Sequence, residues 1–163
     1  MNQEILAKAK KVKLLITDVD GVLTDGKIYL GANEQEFKAF NVKDGKGIKL
    51  LQEAGIEIAI ITGRQSQAVT RRAQELAIKE THQGIADKIE VFNQLLERYN
   101  LDKSQVAYIG DDVNDLEILK QVGLSASVRD GVDLVKKEVD YVTRMIGGQG
   151  AVRELAELIL NAN

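Results

Sequence analysis

The chain has no cysteine, no proline and a single histidine among its 163 residues. Without cysteine there can be no disulfide framework, no thiolate nucleophile and no thiolate zinc site, and the composition fits the cytoplasm. Without proline every turn must rest on Gly, Asn, Asp and Ser, and slow X-Pro isomerisation should be missing from folding. No stretch approaches the ~20 apolar residues of a membrane span. The first eleven residues, with Lys8, Lys10 and Lys11, lack the apolar core of a secretory signal. A net charge of −3 gives no reason to expect nucleic acid or a membrane as partner. With 44% apolar and 29% charged residues the chain has an ordinary globular composition. Its length suits one domain with a real core, expected over residues 1–163 because no repeat, linker or low-complexity segment divides it.

What the chain does have is a set of apolar runs, each ended by polar residues. Residues 12–16 (VKLLI) lead to Asp18 and Asp20, 56–61 (IEIAII) to Thr62, and 106–110 (VAYIG) to Asp111 and Asp112. Lys88 follows Gly84 in a short polar segment. Such runs, rich in β-branched residues and followed by turn signals, read as buried strands of a parallel sheet. Open α/β sheets bind ligands beyond the carboxyl ends of their strands, so these polar residues should converge on one spot. Two carboxylate pairs, a hydroxyl and an ammonium suit a magnesium ion and a phosphate group.

Strands are expected over 12–17, 56–61, 106–110 and 124–128, with weaker ones at 78–81 and 140–143. Helices are expected over 3–10, 44–54, 66–76, 86–99, 112–121, 132–137 and 151–160. Asp44 is expected to cap the second of these and Gly55 to stop it. Ala68, Val69, Ala73, Leu76 and Ala77 are expected on the buried side of the third, and Ile89, Phe92, Leu95 and Leu96 on one face of the fourth. Two short apolar runs around the 31–34 turn make 26–40 a β-hairpin. The alternation predicts an α/β fold: a three-layer, Rossmann-like parallel sheet with a hairpin inserted after the first strand.

The strongest local signal is the segment 17–26, TDVDGVLTDG. Residues i and i+2 of an extended segment share a side, so Asp18 and Asp20 can face one phosphorus together. One carboxylate can attack it, forming an aspartyl-phosphate. The other can protonate the leaving oxygen and later take a proton from water. Gly21 frees the backbone to turn and to offer N–H groups to phosphate.

Asp18-x-Asp20, Thr62-Gly63, Lys88 and Gly110-Asp111-Asp112 resemble, in order and context, the four motifs of the haloacid dehalogenase superfamily of phosphatases. The longer strings at 17–26, 42–48 (VKDGKGI), 62–64 (TGR) and 147–154 (GGQGAVRE) resemble its 3-deoxy-D-manno-octulosonate 8-phosphate phosphatase family, over nearly the whole chain. The resemblance implies a HAD-like fold and Mg2+ as cofactor. It implies Asp18 as nucleophile and metal ligand, and Asp20 as general acid/base that also binds the metal through its carbonyl. Thr62 would hydrogen-bond the transferring phosphoryl group, Lys88 would neutralise charge, and Asp111 would be the second metal carboxylate. Asp112 and Asp115 would act through a water or on Lys88. Gly21 and Gly63 are expected beside the substrate. Arg64, with its planar fork, and Lys43 are candidates for the sugar acid's carboxylate. Arg72 and Arg153 are balanced between surface and substrate, while His82 and Tyr108 are expected to be structural.

The stretches between Thr24 and Thr62 and between Thr62 and Lys88 are too short for the cap domain many superfamily members carry. The site would lie open, although catalysis gains from excluding water. The 26–40 hairpin carries Ile28, Tyr29, Leu30, Phe37 and Phe40, and an isolated hairpin is marginal in water. It is expected to pack against hairpins of other subunits. The resemblance implies a homotetramer in which neighbours, and a tail from Gly147, complete each site; the stop at Asn163 is read as leaving no longer tail. The expected activity is hydrolysis of 3-deoxy-D-manno-octulosonate 8-phosphate. The alternatives are a phosphatase for a nonulosonate 9-phosphate, a phospho-accepting signalling domain, or an idle partner subunit. The order of the motifs counts against the signalling domain. The intact set of Asp18, Asp20, Thr62, Lys88 and Asp111 counts against the idle partner.

Overall fold

A computed structural model describes residues 3–33 and 35–162. In chain order the elements are α1 (Gln3–Ala9), β1 (Leu14–Thr17), β2 (Tyr29–Leu30), β3 (Glu36–Phe37), α2 (Val42–Glu53), β4 (Glu57–Ile61), α3 (Gln67–Glu75), β5 (Glu80–His82), α4 (Lys88–Tyr99), β6 (Val106–Gly110), α5 (Leu116–Leu119), β7 (Leu124–Ser127), α6 (Asp133–Lys136), β8 (Tyr141–Val142) and α7 (Ala151–Asn161). Six strands form one sheet in the order β5-β4-β1-β6-β7-β8, and every pairing within it is parallel. Leu14 lies in register with Glu57 on one side and with Val106 on the other. The strand order reverses between β1 and β6. That is the switch point where the loops leaving the two strands part and a crevice opens at their carboxyl ends.

The three central strands β4, β1 and β6 are largely apolar because helices cover both faces of the sheet there. Alternate residues of β1, β4 and β6 divide between two cores. Leu15, Ile58, Ile60 and Ile109 pack with Ile48 and Leu51 of α2, Val69 of α3 and Val152, Leu155 and Ile159 of α7. Leu14, Ile16, Ile61 and Tyr108 pack with Phe92 and Leu95 of α4 and Ile118 of α5. Each fully buried aliphatic side chain contributes about 1.5–3 kcal/mol, so the strands that carry the site rest on a filled core on each face. Among the described residues no helix is long and apolar enough to cross a membrane.

Three local expectations are corrected. Asp44 does not cap α2: Asn41, whose backbone is extended, is the cap, and its side chain accepts from the Lys43 N–H at 2.9 Å. Asp44 lies in the first turn of the helix, buried, and its carboxylate accepts from the N–H groups of Gly150 (3.2 Å) and Arg153 (2.9 Å) at the start of α7. Burial raises its pKa, against the pull of those N–H groups. Gly47 brings the same two helices close, since a Cβ there would lie 2.9 Å from the Arg153 Cα. Ala77 is exposed and left-handed (φ 55°), because it follows the end of α3 rather than continuing it. The helix expected over 112–121 is broken into a 3-10 turn (Val113–Asp115) and the short α5, because the Asp112 and Asp115 carboxylates bond back to the backbone there.

The hairpin is smaller than expected. Its ladder pairs only Tyr29 with Phe37 and Leu30 with Glu36, antiparallel. Ile28, Tyr29, Leu30 and Phe37 are exposed, whereas Phe40 at the far end packs against the core with Arg72 over its ring. Between the exposed ladder and Phe40 the segment is also tied down by charge, described next.

Candidate active site

The loop leaving β1 is wound tightly by its own backbone. The Val19 carbonyl accepts from the N–H groups of Val22, Leu23 and Thr24, and the Thr24 hydroxyl receives those of Gly21 and Gly26. Gly21 has a left-handed backbone (φ 89°), and a Cβ there would collide with the Asp111 carboxylate. Only glycine therefore lets the β1 and β6 loops meet. Asp18 continues the strand through its N–H to the Ile109 carbonyl (3.1 Å), and its Oδ1 accepts from Val19 N–H at 2.7 Å.

Lys88 opens α4, behind its cap Asp87, and its side chain is almost wholly buried. Its Nζ lies 3.0 Å from Asp18 Oδ2 and 2.7 Å from Asp115 Oδ1. Asp115 is fully enclosed and fully used. Its Oδ1 also accepts from the Tyr108 hydroxyl at 2.6 Å, and its Oδ2 from the N–H groups of Asp111 (3.1 Å) and Asp112 (3.3 Å). One buried carboxylate thus holds the lysine from the third motif and the backbone of the fourth. Tyr108 is structural, as expected, but through its hydroxyl as well as its ring.

Oxygens of Asp18, Asp111 and Asp115 all lie within 4.8 Å of one another. With Asp115 committed to Lys88, Tyr108 and two N–H groups, Asp18 and Asp111 are the carboxylates with capacity to spare. Burial pushes Asp18 up to about 6, against the pull of Lys88. Burial, with Asp18 and Asp115 facing it, pushes Asp111 up to about 7. Burial alone would lower the Lys88 ammonium, but the two carboxylates hold it above its usual value. A pair of buried oxygens that resist ionising alone is the donor set a hard divalent cation fits.

A cleft above these groups is lined by Asp18, Asp20, Thr62, Gly63, Arg64, Asp111, Asp112 and Asn114. Thr62 is buried at the end of β4, its N–H on the His82 carbonyl and its own carbonyl taking the Ile85 N–H. Asp112 sits at the rim, its carboxylate on the Val113 N–H at 2.7 Å. Arg64 Nη2 is 2.7 Å from Glu36 of the hairpin, and its Nε is 4.0 Å from Asp20 Oδ2. Lys43 stands exposed in the first turn of α2 and does not line this cleft. His82 pairs with Glu80 and Arg153 with Glu157, both away from the cleft.

Lys38, Glu36 and Asn114 were not legible as site residues. Lys38 is buried by its side chain and ion-pairs with Asp20 and, at 3.5 Å, with Glu36. The available signal was the alternation of residues 36–40, EFKAF, which turns Lys38 away from Phe37's exposed face.

Known proteins resemble the chain over nearly its whole length. A family model for haloacid dehalogenase-like hydrolases matches residues 81–155. The 3-deoxy-D-manno-octulosonate 8-phosphate phosphatase KdsC of Escherichia coli K12 is 47% identical over 162 residues, which is 99% of this chain and 86% of that protein. This chain belongs to the 3-deoxy-D-manno-octulosonate 8-phosphate phosphatase family of haloacid dehalogenase-like hydrolases. The solved phosphatase of this family from Yersinia pestis superposes with a TM-score of 0.98 at 46% identity, covering 99% of this chain and 88% of that one. The one from Moraxella catarrhalis, described as a complex with magnesium ion, phosphate ion and KDO, gives a TM-score of 0.97 at 45% identity and covers 100% and 94%. The α/β sheet with an inserted hairpin, and with no cap among the described residues, is therefore the fold of the phosphatase family.

Proposed function

We infer that this chain is a magnesium-dependent phosphatase that hydrolyses 3-deoxy-D-manno-octulosonate 8-phosphate to the free sugar acid and phosphate, working as a single domain. The observation that carries the reading is the placement of Lys88 Nζ between Asp18 and Asp115, with Asp111 facing the same carboxylate. Asp18 and Asp111 would hold the magnesium ion through their carboxylates, and Asp20 through its backbone carbonyl. When bound, the ion offsets the repulsion between an anionic nucleophile and an anionic phosphate.

The residues then divide the work. The Asp18 carboxylate attacks phosphorus, and the bond from phosphorus to the sugar oxygen breaks. Asp20 gives that oxygen its proton, so the sugar leaves as an alcohol. Thr62 holds the phosphoryl group in line, and the Lys88 ammonium balances the charge Asp18 carries and passes on. Water next attacks the aspartyl-phosphate, Asp20 takes its proton, and the bond to Asp18 breaks to release phosphate.

Two features support a homotetramer: the exposed apolar hairpin, and a cleft open to solvent that neighbouring subunits could close. In that assembly Arg64, and Lys43 of a neighbour, are offered to the substrate carboxylate.

The test is phosphate release from a panel of eight- and nine-carbon keto-acid phosphates. Release should need magnesium, stop with a chelator, and vanish in Asp18→Asn. A preference for the eight-carbon ester of under about tenfold in kcat/KM, roughly 1.4 kcal/mol, would remove the specific substrate from this reading.

A further inference from the structure

We propose that Lys38 is a positioning residue for Asp20, through which the hairpin aims the proton donor at the leaving oxygen. The inference rests on the phosphatase reading above. Lys38 is not among the residues that line the cleft; its side chain is 2% exposed and pairs with Asp20 and Glu36. A buried ammonium is tolerated only when anions surround it, and these two carboxylates are the ones in reach. The dependence is mutual. Glu36 Oε1 is buried 3.5 Å from the Lys38 ammonium, the cation beside it, and the Ser66 hydroxyl is the other group near that carboxylate.

The remaining Glu36 oxygen accepts from Arg64, whose Nε stands 4.0 Å from the other Asp20 oxygen. Asp20 is therefore flanked by two cations, one from the hairpin and one from the loop after β4, with Glu36 tying both together. Lys38 and Glu36 lie between the exposed ladder and Phe40, which anchors the end of the segment on the core. Their link to Asp20 then joins the hairpin to the site and fixes the direction of the Asp20 side chain. An error of about 1 Å in placing a catalytic group costs up to about a hundredfold in rate.

A positioned acid matters when the leaving group is a poor one. An alkoxide needs its proton in the transition state, whereas nitrophenolate leaves without it. The experiment compares kcat/KM, which reports the steps up to departure of the leaving group, for 3-deoxy-D-manno-octulosonate 8-phosphate and for p-nitrophenyl phosphate. Wild type, Lys38→Met, Lys38→Arg and Glu36→Gln are assayed with magnesium.

Lys38→Met should lose about tenfold to a hundredfold on the sugar ester and under about threefold on the aryl ester. Lys38→Arg, which keeps the charge, should regain most of the loss. Glu36→Gln should show the same bias towards the aryl ester, and it carries the test should Lys38→Met fail to fold. Equal losses on both esters, or no loss on either, would overturn the role of Lys38. Failure of wild type to turn over either ester would overturn the phosphatase reading instead.

Discussion

At the scale of single residues, the decisive group is one that does no chemistry. Asp115 uses both oxygens to hold Lys88, Tyr108 and two backbone N–H groups. Asp115→Ala leaves the buried Lys88 ammonium with Asp18 alone and the Tyr108 hydroxyl without its acceptor, and breaking such a pair costs about 3–5 kcal/mol, which urea unfolding would register. Asp115→Asn keeps the shape and should spare most of that stability while lowering kcat about a hundredfold through a misplaced Lys88. A near-wild-type kcat in Asp115→Asn would contradict the assignment. The acidic pair above it titrates. Asp18 is raised to about 6 and Asp111 to about 7 from an ordinary value of 3.8. Because the folded state binds these protons more tightly than the unfolded chain, their contribution to stability is full below about pH 4. It is lost as pH rises through 6 to 7, so the metal-free protein should weaken over that window. Magnesium needs both groups ionised, so its binding at about pH 6 should release protons and its affinity should climb with pH. Titration calorimetry in buffers of different ionisation enthalpy would detect that release; an identical heat in every buffer at about pH 6 would count against it. Asp18, Asp20, Thr62, Lys88 and Asp111 were all legible because each follows a punctuated apolar run or matches a motif. Lys38 was not, because its meeting with Asp20 depends on how the hairpin folds back.

At the scale of elements, strands were easier to read than helix ends. The apolar runs at 12–17, 56–61 and 106–110 need burial on two faces, and that need is written in composition. Caps are a matter of which side chain reaches which N–H. Asp44 has the right chemistry for a cap but serves α7, more than a hundred residues on, and no local pattern could reveal that. The two caps can be told apart by unfolding. Asn41→Ala removes the N-cap bond from Lys43 N–H and the Nδ2 bond to the Gly148 carbonyl, and should cost about 1–2 kcal/mol. Asp44→Ala leaves two buried N–H groups without a partner and should cost about 2–4 kcal/mol. Equal losses in the two variants would mean that Asp44 does not join the helices.

At the scale of the whole molecule, the crevice exists because the strand order reverses beside β1. The α/β alternation implied such a sheet, but the order itself rests on which helices cover which face, and single-residue patterns do not encode it. The proposed assembly is written in the opposite place, on the surface. Leu30 and Phe37 are 76% and 57% exposed, and a monomer gains nothing by displaying them. Phe37→Asp should turn the oligomer into monomers by light scattering while leaving stability within about 0.5 kcal/mol, as befits an exposed position. Wild type running as a monomer at micromolar concentration would remove the tetramer.

Phe37 ends β3 and Lys38 follows it directly, the first facing outward and the second paired with Asp20. Should the outward face be what binds subunits together, crowding and catalysis become linked. Each molecule would work best in company, and a thinly diluted preparation would be sluggish even with every active-site residue intact.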